Sequence, residues 1–230
     1  MASTRRADFI RALGQESNLS VAERLCHLAV TAGVDGSAIL VQSDGQISGC
    51  VASAGSLGGI LSELEVQRGE GPAHQALREH RAVLAEQLLT GAVENWPVVG
   101  LDAQQHGVEA LFAFPLHVGS ISIGVLEVCR KSAGRLTAVE FSDLVVLADL
   151  CTSALLLMQS GLQGGAVIDL LSVESRGQLL VHQAVGMVAQ QENLSITDAL
   201  ARMRAFALAE DMTMQELARR IIAREIRMDG

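Results

Sequence analysis

The sequence is poor in aromatic residues, proline and clustered cysteine. Its 230 residues include no tyrosine, one tryptophan, five phenylalanines and three prolines. The four cysteines are widely separated, and no two of them form a CxxC pair. This pattern excludes a disulfide-stapled scaffold and predicts buried free thiols in a reducing cytoplasm. Because 49% of the residues are hydrophobic and only 19% are charged, intrinsic disorder is excluded as well.

The sequence also lacks a long uninterrupted hydrophobic run. The longest mostly apolar stretch, 144–158, contains Asp149 and is shorter than the roughly 20 residues that a membrane-spanning helix needs. Three arginines occur among the first eleven residues, but no continuous apolar segment follows them. We therefore expect neither a membrane span nor a secretory signal.

The sequence also lacks the motifs that are typical of catalytic sites. There is no phosphate-binding loop, no nucleophile elbow and no HExxH pair, and no two of the six histidines stand four residues apart. The sequence therefore predicts no enzyme, no metal and no cofactor. Two interpretations of the histidines stay open: surface residues, or a metal or haem site formed by His106, His117 and Cys129 around one strand.

Charge is distributed unevenly along the chain. The net charge is −9, and the excess acid lies in residues 1–174, with 10 basic and 19 acidic residues. Residues 175–230 are neutral, with 7 arginines, 7 acidic residues and no lysine. Arginine is the side chain best suited to phosphate forks and base stacking. The asymmetry indicates two modules with different tasks.

The periodicity of residues 1–160 predicts a mixed α+β domain. A helix capped by Ser20 and Glu23 precedes two strands joined by the hairpin turn Asp44–Gly45. Helices at 60–66 and 73–81 and a short strand at 82–85 follow, and the stretch 90–107 has no regular pattern. Strands at 110–118 and 120–129 lead into a long helix that begins at Thr137.

Glycines at 161–165 interrupt this helix and mark the domain boundary. We predict a first domain at 1–160, a linker at 161–174 and a second domain at 175–230. The second domain reads as three helices, 175–191, 195–209 and 213–227, the last two capped by Ser195 and Thr213.

Two stretches carry a resemblance to known families. Residues 181–222, with Ala184, Gly186 and Met187 in the first helix and LSITDAL at the start of the second, resemble an ANTAR domain, a three-helix RNA-binding module. The motifs GEGP (69–72), ALFAFPLHV (110–118) and IGVLEV (123–128) are similar to those of a GAF sensor domain. Together they resemble the GAF–ANTAR regulators common in actinobacteria.

This resemblance implies a fold and a function. The fold is a GAF-like antiparallel sheet with flanking helices, followed by a three-helix ANTAR bundle. The function is transcription antitermination, in which a homodimer binds tandem stem-loops in nascent RNA under the control of a GAF sensor that has a small-molecule ligand or acts only as a dimerisation scaffold. The apolar stripe of the helix at 141–158 suits a homodimer surface, a core-facing helix, or both. The RNA-binding candidates are His182, Gln183, Gly186, Arg202, Arg204, Arg219 and Arg220.

Three points of this assignment stay open. Many ANTAR members carry lysine where this chain has Val185, so that RNA contact is in doubt. A glycine inside a helix costs up to about 1 kcal/mol relative to alanine, so Gly186 indicates close approach of either a partner helix or RNA. The alternative function is a DNA-binding regulator that uses the tail as a helix-turn-helix, although the last helix offers Gln215 as its one amide for base recognition.

Overall fold

The computed structural model describes residues 2–15, 17–88, 95–119, 121–162 and 164–228. The chain divides into two compact units, Met1–Leu171 and Ser172–Gly230. Each unit has a hydrophobic core of its own.

The first unit is built around an antiparallel sheet. Its strands are β1 (Gly36–Ser43), β2 (Gln46–Gly55), β3 (Val83–Ala85), β4 (Ala110–Val118) and β5 (Ile121–Arg130). The order across the sheet is β2-β1-β5-β4-β3, so that β5 lies at the centre. The predicted turn at Asp44–Gly45 is confirmed, since both residues have the positive φ that such a hairpin turn requires, 52° and 78°.

Side chains of the central strands alternate between two buried faces. On β5, Leu126 and Val128 belong to one core cluster, whereas Val125 and Cys129 belong to the other. Neighbours along a strand point to opposite faces, so Glu127 lies on the second face, with Val125 and Cys129. The central strands therefore have no face left for water.

Helices cover both faces of this sheet. They are α1 (Ala2–Leu13), α2 (Val21–Thr31), α3 (Gly58–Arg68), α4 (Pro72–Glu79), α5 (Pro97–Gln105) and α6 (Ala138–Gln159). Residues of α1, α2 and α6 form the core of the first face, and residues of α3, α4 and α5 form the core of the second.

The predicted capping residues of α2 and α6 are confirmed. The side chain of Ser20 accepts a hydrogen bond from the backbone N–H of Glu23, whose carboxylate accepts in return from the N–H of Ser20. Thr137 and Glu140 form the same reciprocal pair at the start of α6. These contacts satisfy N–H groups that a helix leaves unpaired at its beginning.

The prediction for the segment before β4 is wrong. The stretch 90–107 was expected to be irregular, but 97–105 forms α5, while 89–94 lie outside the described residues. Pro97 occupies the first turn of α5, where its missing N–H is no loss. Val99 and Ala103 are buried against the second face, and their packing overrides a weak local pattern.

The expected linker at 161–174 is also corrected. The next helix, α7 (Gly165–Gln191), begins at 165 rather than 175. Its residues Val167 and Leu171 are fully buried in the core of the first unit. The glycines end α6 at Gln159, and Gly161 has a φ of 89°, but the apolar residues that follow them have a core to pack into.

Helix α6 is long and apolar enough to cross a membrane by length and composition alone, and 56% of its apolar window is buried inside the protein. Its residues Leu144 and Leu147 are fully buried in the first-face core. Burial of this kind is the pattern of a core helix.

The second unit contains the end of α7 with α8 (Ile196–Ala209) and α9 (Met214–Ile222). The predicted caps are confirmed, since Ser195 accepts from the N–H of Asp198 and Thr213 from that of Glu216. The last helix ends at Ile222, five residues before the predicted end, and Arg224 adopts a left-handed φ of 62°. Apolar residues of all three helices lie in the core of this unit or pack against it: Leu180, Ala184, Met187, Leu200, Met203, Phe206, Leu217, Ile221 and Ile222.

Candidate functional site

The exposed side of α7 in the second unit carries amide side chains and a glycine. Gln183, Gly186 and Gln190 are exposed and recur at the spacing that places residues on one helix face. A Cβ at Gly186 would meet no atom of the described residues within 4 Å. Within the described part of the chain, Gly186 therefore has no close packing partner, and its backbone is open to an approaching helix or RNA.

Two arginines of the predicted set are exposed and free. Arg204 lies on α8 and Arg219 on the last turn of α9. Within the described part of the chain, neither has an ion-pair partner. Next to Arg204, Leu208 is 85% exposed, so the outer face of α8 combines a cation with an apolar side chain.

The other arginines of the set have partners inside the unit. Arg202 donates to the main-chain oxygen of Met228 at 2.9 Å and lies 3.4 Å from Glu192. Arg220 lies 3.5 Å from Glu216, one helical turn away. The side chain of His182 lies outside the described residues. The RNA-binding role of each residue in the set stays a prediction.

The position of Val185 bears on the missing lysine. Val185 is only 3% exposed and belongs to the core of the second unit, with Ala184 and Val188. The exposed face of α7 is formed by other residues, Gln183 and Gly186 among them. In this chain, Val185 therefore contributes to packing.

In the first unit, the histidine and cysteine predictions are partly corrected. His27, His80, His106 and His117 are exposed as predicted, but His74 is buried. Cys26, Cys129 and Cys151 are buried, and Cys50 is exposed. Burial raises the pKa of Cys26 to about 12 and also raises that of Cys129. Among the described residues, no group of three or more His, Cys, Asp or Glu side chains could hold a metal ion.

A surface cavity of about 610 Å³ lies between α1 and the start of α6. Two of its polar side chains are paired with each other, because Arg5 donates to both carboxylate oxygens of the buried Asp143. The remaining wall includes Ala138 and Val139. The cavity therefore offers mainly apolar surface to a ligand.

A buried carboxylate organises the GEGP segment. The two oxygens of Glu65 accept hydrogen bonds from the backbone N–H of Ala73 at 3.0 and 2.9 Å, and one of them accepts from that of His74 at 3.3 Å. These are the first N–H groups of α4, and its N-cap residue, Gly71, has no side chain to satisfy them. Glu65 therefore caps α4 from the neighbouring helix α3.

Gly71 itself is required by this arrangement. Its φ is 131°, and a Cβ at this position would overlap the carboxylate of Glu65. The residue before it, Glu70, caps another helix: its carboxylate accepts from the N–H of Val98 at 2.8 Å and from that of Val99 at 3.1 Å, at the start of α5. The GEGP segment thus joins α3, α4 and α5.

A second buried carboxyl, Glu127, lies beside Glu65. Burial raises the pKa of Glu65, and hydrogen bonds from Glu127 and from the N–H of Ala73 oppose this rise. Burial, together with the charge of Glu65, raises the pKa of Glu127 well above its ordinary value. The second core of the first unit therefore contains a pair of interacting acids.

Sequence reasoning missed this pair. Glu127 is the one charged residue between Ile121 and Cys129, in a strand whose neighbours on both sides are apolar. This charged residue in an otherwise apolar strand was the feature that could have pointed to the site. Glu65 gave none, because it lies in a helical segment with Glu63 and resembles any solvent-exposed acid.

The comparisons agree with this fold. A family model described as a GAF domain matches residues 19–156. Among solved structures, the chain is similar to the GAF domain of a phosphoenolpyruvate-protein phosphotransferase from Coxiella burnetii, with 16% identity and a TM-score of 0.50, over 69% of this chain and 98% of that one.

Two other similar structures have lower TM-scores. The second GAF domain of DevS from Mycobacterium smegmatis is 19% identical, with a TM-score of 0.44, over 61% of this chain and 94% of that one. A type II free methionine-R-sulfoxide reductase from Thermoplasma acidophilum is 14% identical, with a TM-score of 0.45, over 64% and 92%. No curated protein matches the chain.

Proposed function

Because the chain belongs to the GAF domain family through residues 19–156, we propose that it is a sensory regulator whose first unit controls an RNA-binding second unit. The second unit would act as an ANTAR module that binds paired stem-loops in nascent RNA and prevents formation of a terminator. The protein would work in the cytoplasm as a homodimer, without catalytic activity. A small molecule bound by the GAF domain would supply the signal.

The observation that carries this proposal is the outer surface of the second unit. The described residues of this unit include an exposed amide, Gln183, an open backbone at Gly186 and two exposed arginines without an ion-pair partner, Arg204 and Arg219. Unpaired bases of RNA loops are read by amide and guanidinium groups on their edges and faces. The same surface has no counterpart to the amide-rich recognition helix of a DNA reader, since α9 has a single amide, Gln215, that is half-buried.

The charge of the second unit explains why two copies would be needed. Residues 175–230 are neutral, so bulk attraction to the phosphate backbone is weak. Two modules held together, acting on two linked loops, gain affinity through effective concentration without any new contact. A dimer of this chain would provide that pair.

The test is a binding titration of the full chain against three probes at two salt concentrations: a two-stem-loop leader RNA, its one-loop truncation and duplex DNA. We expect tight binding that requires both loops. Replacing Gln183 and Arg204 together, as Gln183→Ala with Arg204→Gln, should abolish binding while the helical circular dichroism stays unchanged.

A matched control removes the same charge elsewhere. Arg11 is exposed on α1, and Arg11→Gln should leave RNA affinity unchanged. Equal, salt-sensitive binding to all three probes would contradict the proposal, and a preference for duplex DNA would favour a helix-turn-helix regulator. Unchanged binding by the folded double variant would remove Gln183 and Arg204 from the site.

A further inference from the structure

Two carboxyl groups are buried together between the sheet and the helices α3 and α4. The exposed fractions of Glu65 and Glu127 are 1% and 0%. An ionised carboxylate in such a place is strongly unfavourable unless donors or a counter-charge surround it. The donors available to each residue therefore decide where the charge lies.

Glu65 has the donors that an anion needs. Backbone N–H groups of Ala73 and His74 point at its oxygens from the first turn of α4. The N-terminus of a helix favours a negative charge through its unpaired N–H groups and its dipole. Glu65 is therefore the member of the pair that carries the charge.

Glu127 lacks such donors. Among the described residues, no N–H or O–H group donates a hydrogen bond to either side-chain oxygen of Glu127. Its neighbours across the sheet are Ala38 on β1 and Ala113 on β4, which have no polar side-chain atoms. A neutral carboxyl suits these surroundings, because it needs no counter-charge and can donate its O–H to the carboxylate of Glu65.

Three other titratable groups surround the pair. His74 on α4 lies with Nε2 3.1 Å from the main-chain oxygen of Glu65, and since a carbonyl oxygen only accepts, Nε2 is the donor. Cys50 on β2 and Cys129 on β5 interact electrostatically with Glu127, and as thiols they supply no positive charge. Within the described residues, the one group here that can become cationic, His74, acts on Glu65 rather than on Glu127.

We propose that Glu65 and Glu127 share a single proton that holds the α3–α4 layer against the sheet, and that loss of this proton releases the layer. A second negative charge beside Glu65 would repel the first in this buried site. Entry of water between β5 and the layer that carries Glu65 would reduce this repulsion. This inference is independent of RNA binding and concerns the first unit alone.

The direction of the pH dependence follows from the raised pKa of Glu127. A group whose pKa is higher in the folded state stabilises that state fully below its unfolded pKa, and this contribution is lost as the pH rises toward the folded value. One proton governs the change, so the population of the released state should rise tenfold per pH unit over that interval.

The experiment measures the proton and the release separately, on the full chain. Infrared spectroscopy at neutral pH should detect a buried protonated carboxyl, and Glu127→Gln should remove its band. Hydrogen exchange in residues 58–79, corrected for the intrinsic pH dependence of exchange, should lose about tenfold protection per pH unit in the wild type and show no such slope in Glu127→Gln. Glu63→Gln, an exposed residue on the same helix, is the matched control and should behave as the wild type.

Three outcomes would overturn the inference: no protonated-carboxyl band in the wild type, a band that persists in Glu127→Gln, or protection of 58–79 that is independent of pH. If Glu127→Gln does not fold, the two wild-type measurements decide the matter alone. Neither of them uses RNA, so failure here leaves the proposed function of the second unit unaffected.

Discussion

On one face of the sheet the core consists of apolar side chains from α1, α2 and α6, and the buried acid of α6, Asp143, is paired with Arg5. On the other face, two acids lie inside the core. The pH responses of the two faces should therefore be opposite. The backbone N–H of Thr137 lowers the pKa of Glu140, so that contribution is lost as the pH falls. The raised pKa of Glu127 makes its contribution disappear as the pH rises.

The comparison shows how one strand can serve two purposes. Leu126 and Val128 pack on the first face, while Glu127 between them reaches the second. The first face is held together by apolar packing, whereas the second face connects the sheet to helices through groups whose charge can change. In a sensory domain, a switch that depends on a change of charge would therefore lie on the second face.

The variant with the largest expected effect removes packing from the first face of the sheet. Phe112 is fully buried at the centre of that core, and Phe112→Ala should lower the free energy of unfolding by about 3–5 kcal/mol through lost burial and a residual cavity. Urea denaturation measures this loss, which should be the same at pH 6 and pH 8 because no ionisable group is removed. A loss that differs between these pH values would show that the two faces are not independent.

Much of the fold was predictable because its signals are local. The alternation of apolar and polar residues identified the strands, and the pairs Ser20–Glu23 and Thr137–Glu140 identified the starts of two helices. The missed features depend on tertiary contacts. Helix α5 is held by the buried Val99 and capped by a distant acid, Glu70.

The candidate sites divide in the same way. The exposure of Gln183 and Arg204 follows from helical periodicity, so the sequence could place them on a surface. The pairing of Glu65 with Glu127 could not be predicted, because it joins a helix to a strand sixty-two positions away through a fold that no local pattern encodes. Whether the exposed set binds RNA stays a prediction.

The variant with the next largest expected effect disturbs the packing of the second face. Gly71→Ala adds a Cβ that overlaps the carboxylate of Glu65 and forces alanine to a φ of 131°. Together, strain and the displaced cap should cost about 3 kcal/mol of unfolding free energy. Guanidinium denaturation measures the loss.

Gly69→Ala is the control for this variant. Gly69 also has a positive φ, 68°, but a Cβ there would meet no atom of the described residues within 4 Å. Its substitution should therefore cost only the backbone penalty of about 1 kcal/mol. Equal losses for the two variants would mean that backbone strain alone accounts for Gly71 and that the cap by Glu65 contributes little.

The smallest effect compares one helix cap from each face. Thr137→Ala removes the hydroxyl that accepts from the N–H of Glu140 at the start of α6, and Glu70→Ala removes the carboxylate that accepts from Val98 and Val99 at the start of α5. Each should cost about 1 kcal/mol in thermal or chemical denaturation. Hydrogen exchange distinguishes the two variants, because Thr137→Ala should increase exchange in the first turn of α6 and Glu70→Ala in that of α5. If Glu70→Ala also increases exchange in α4, the GEGP segment transmits changes between the two helices that it joins, and the second face responds as one layer.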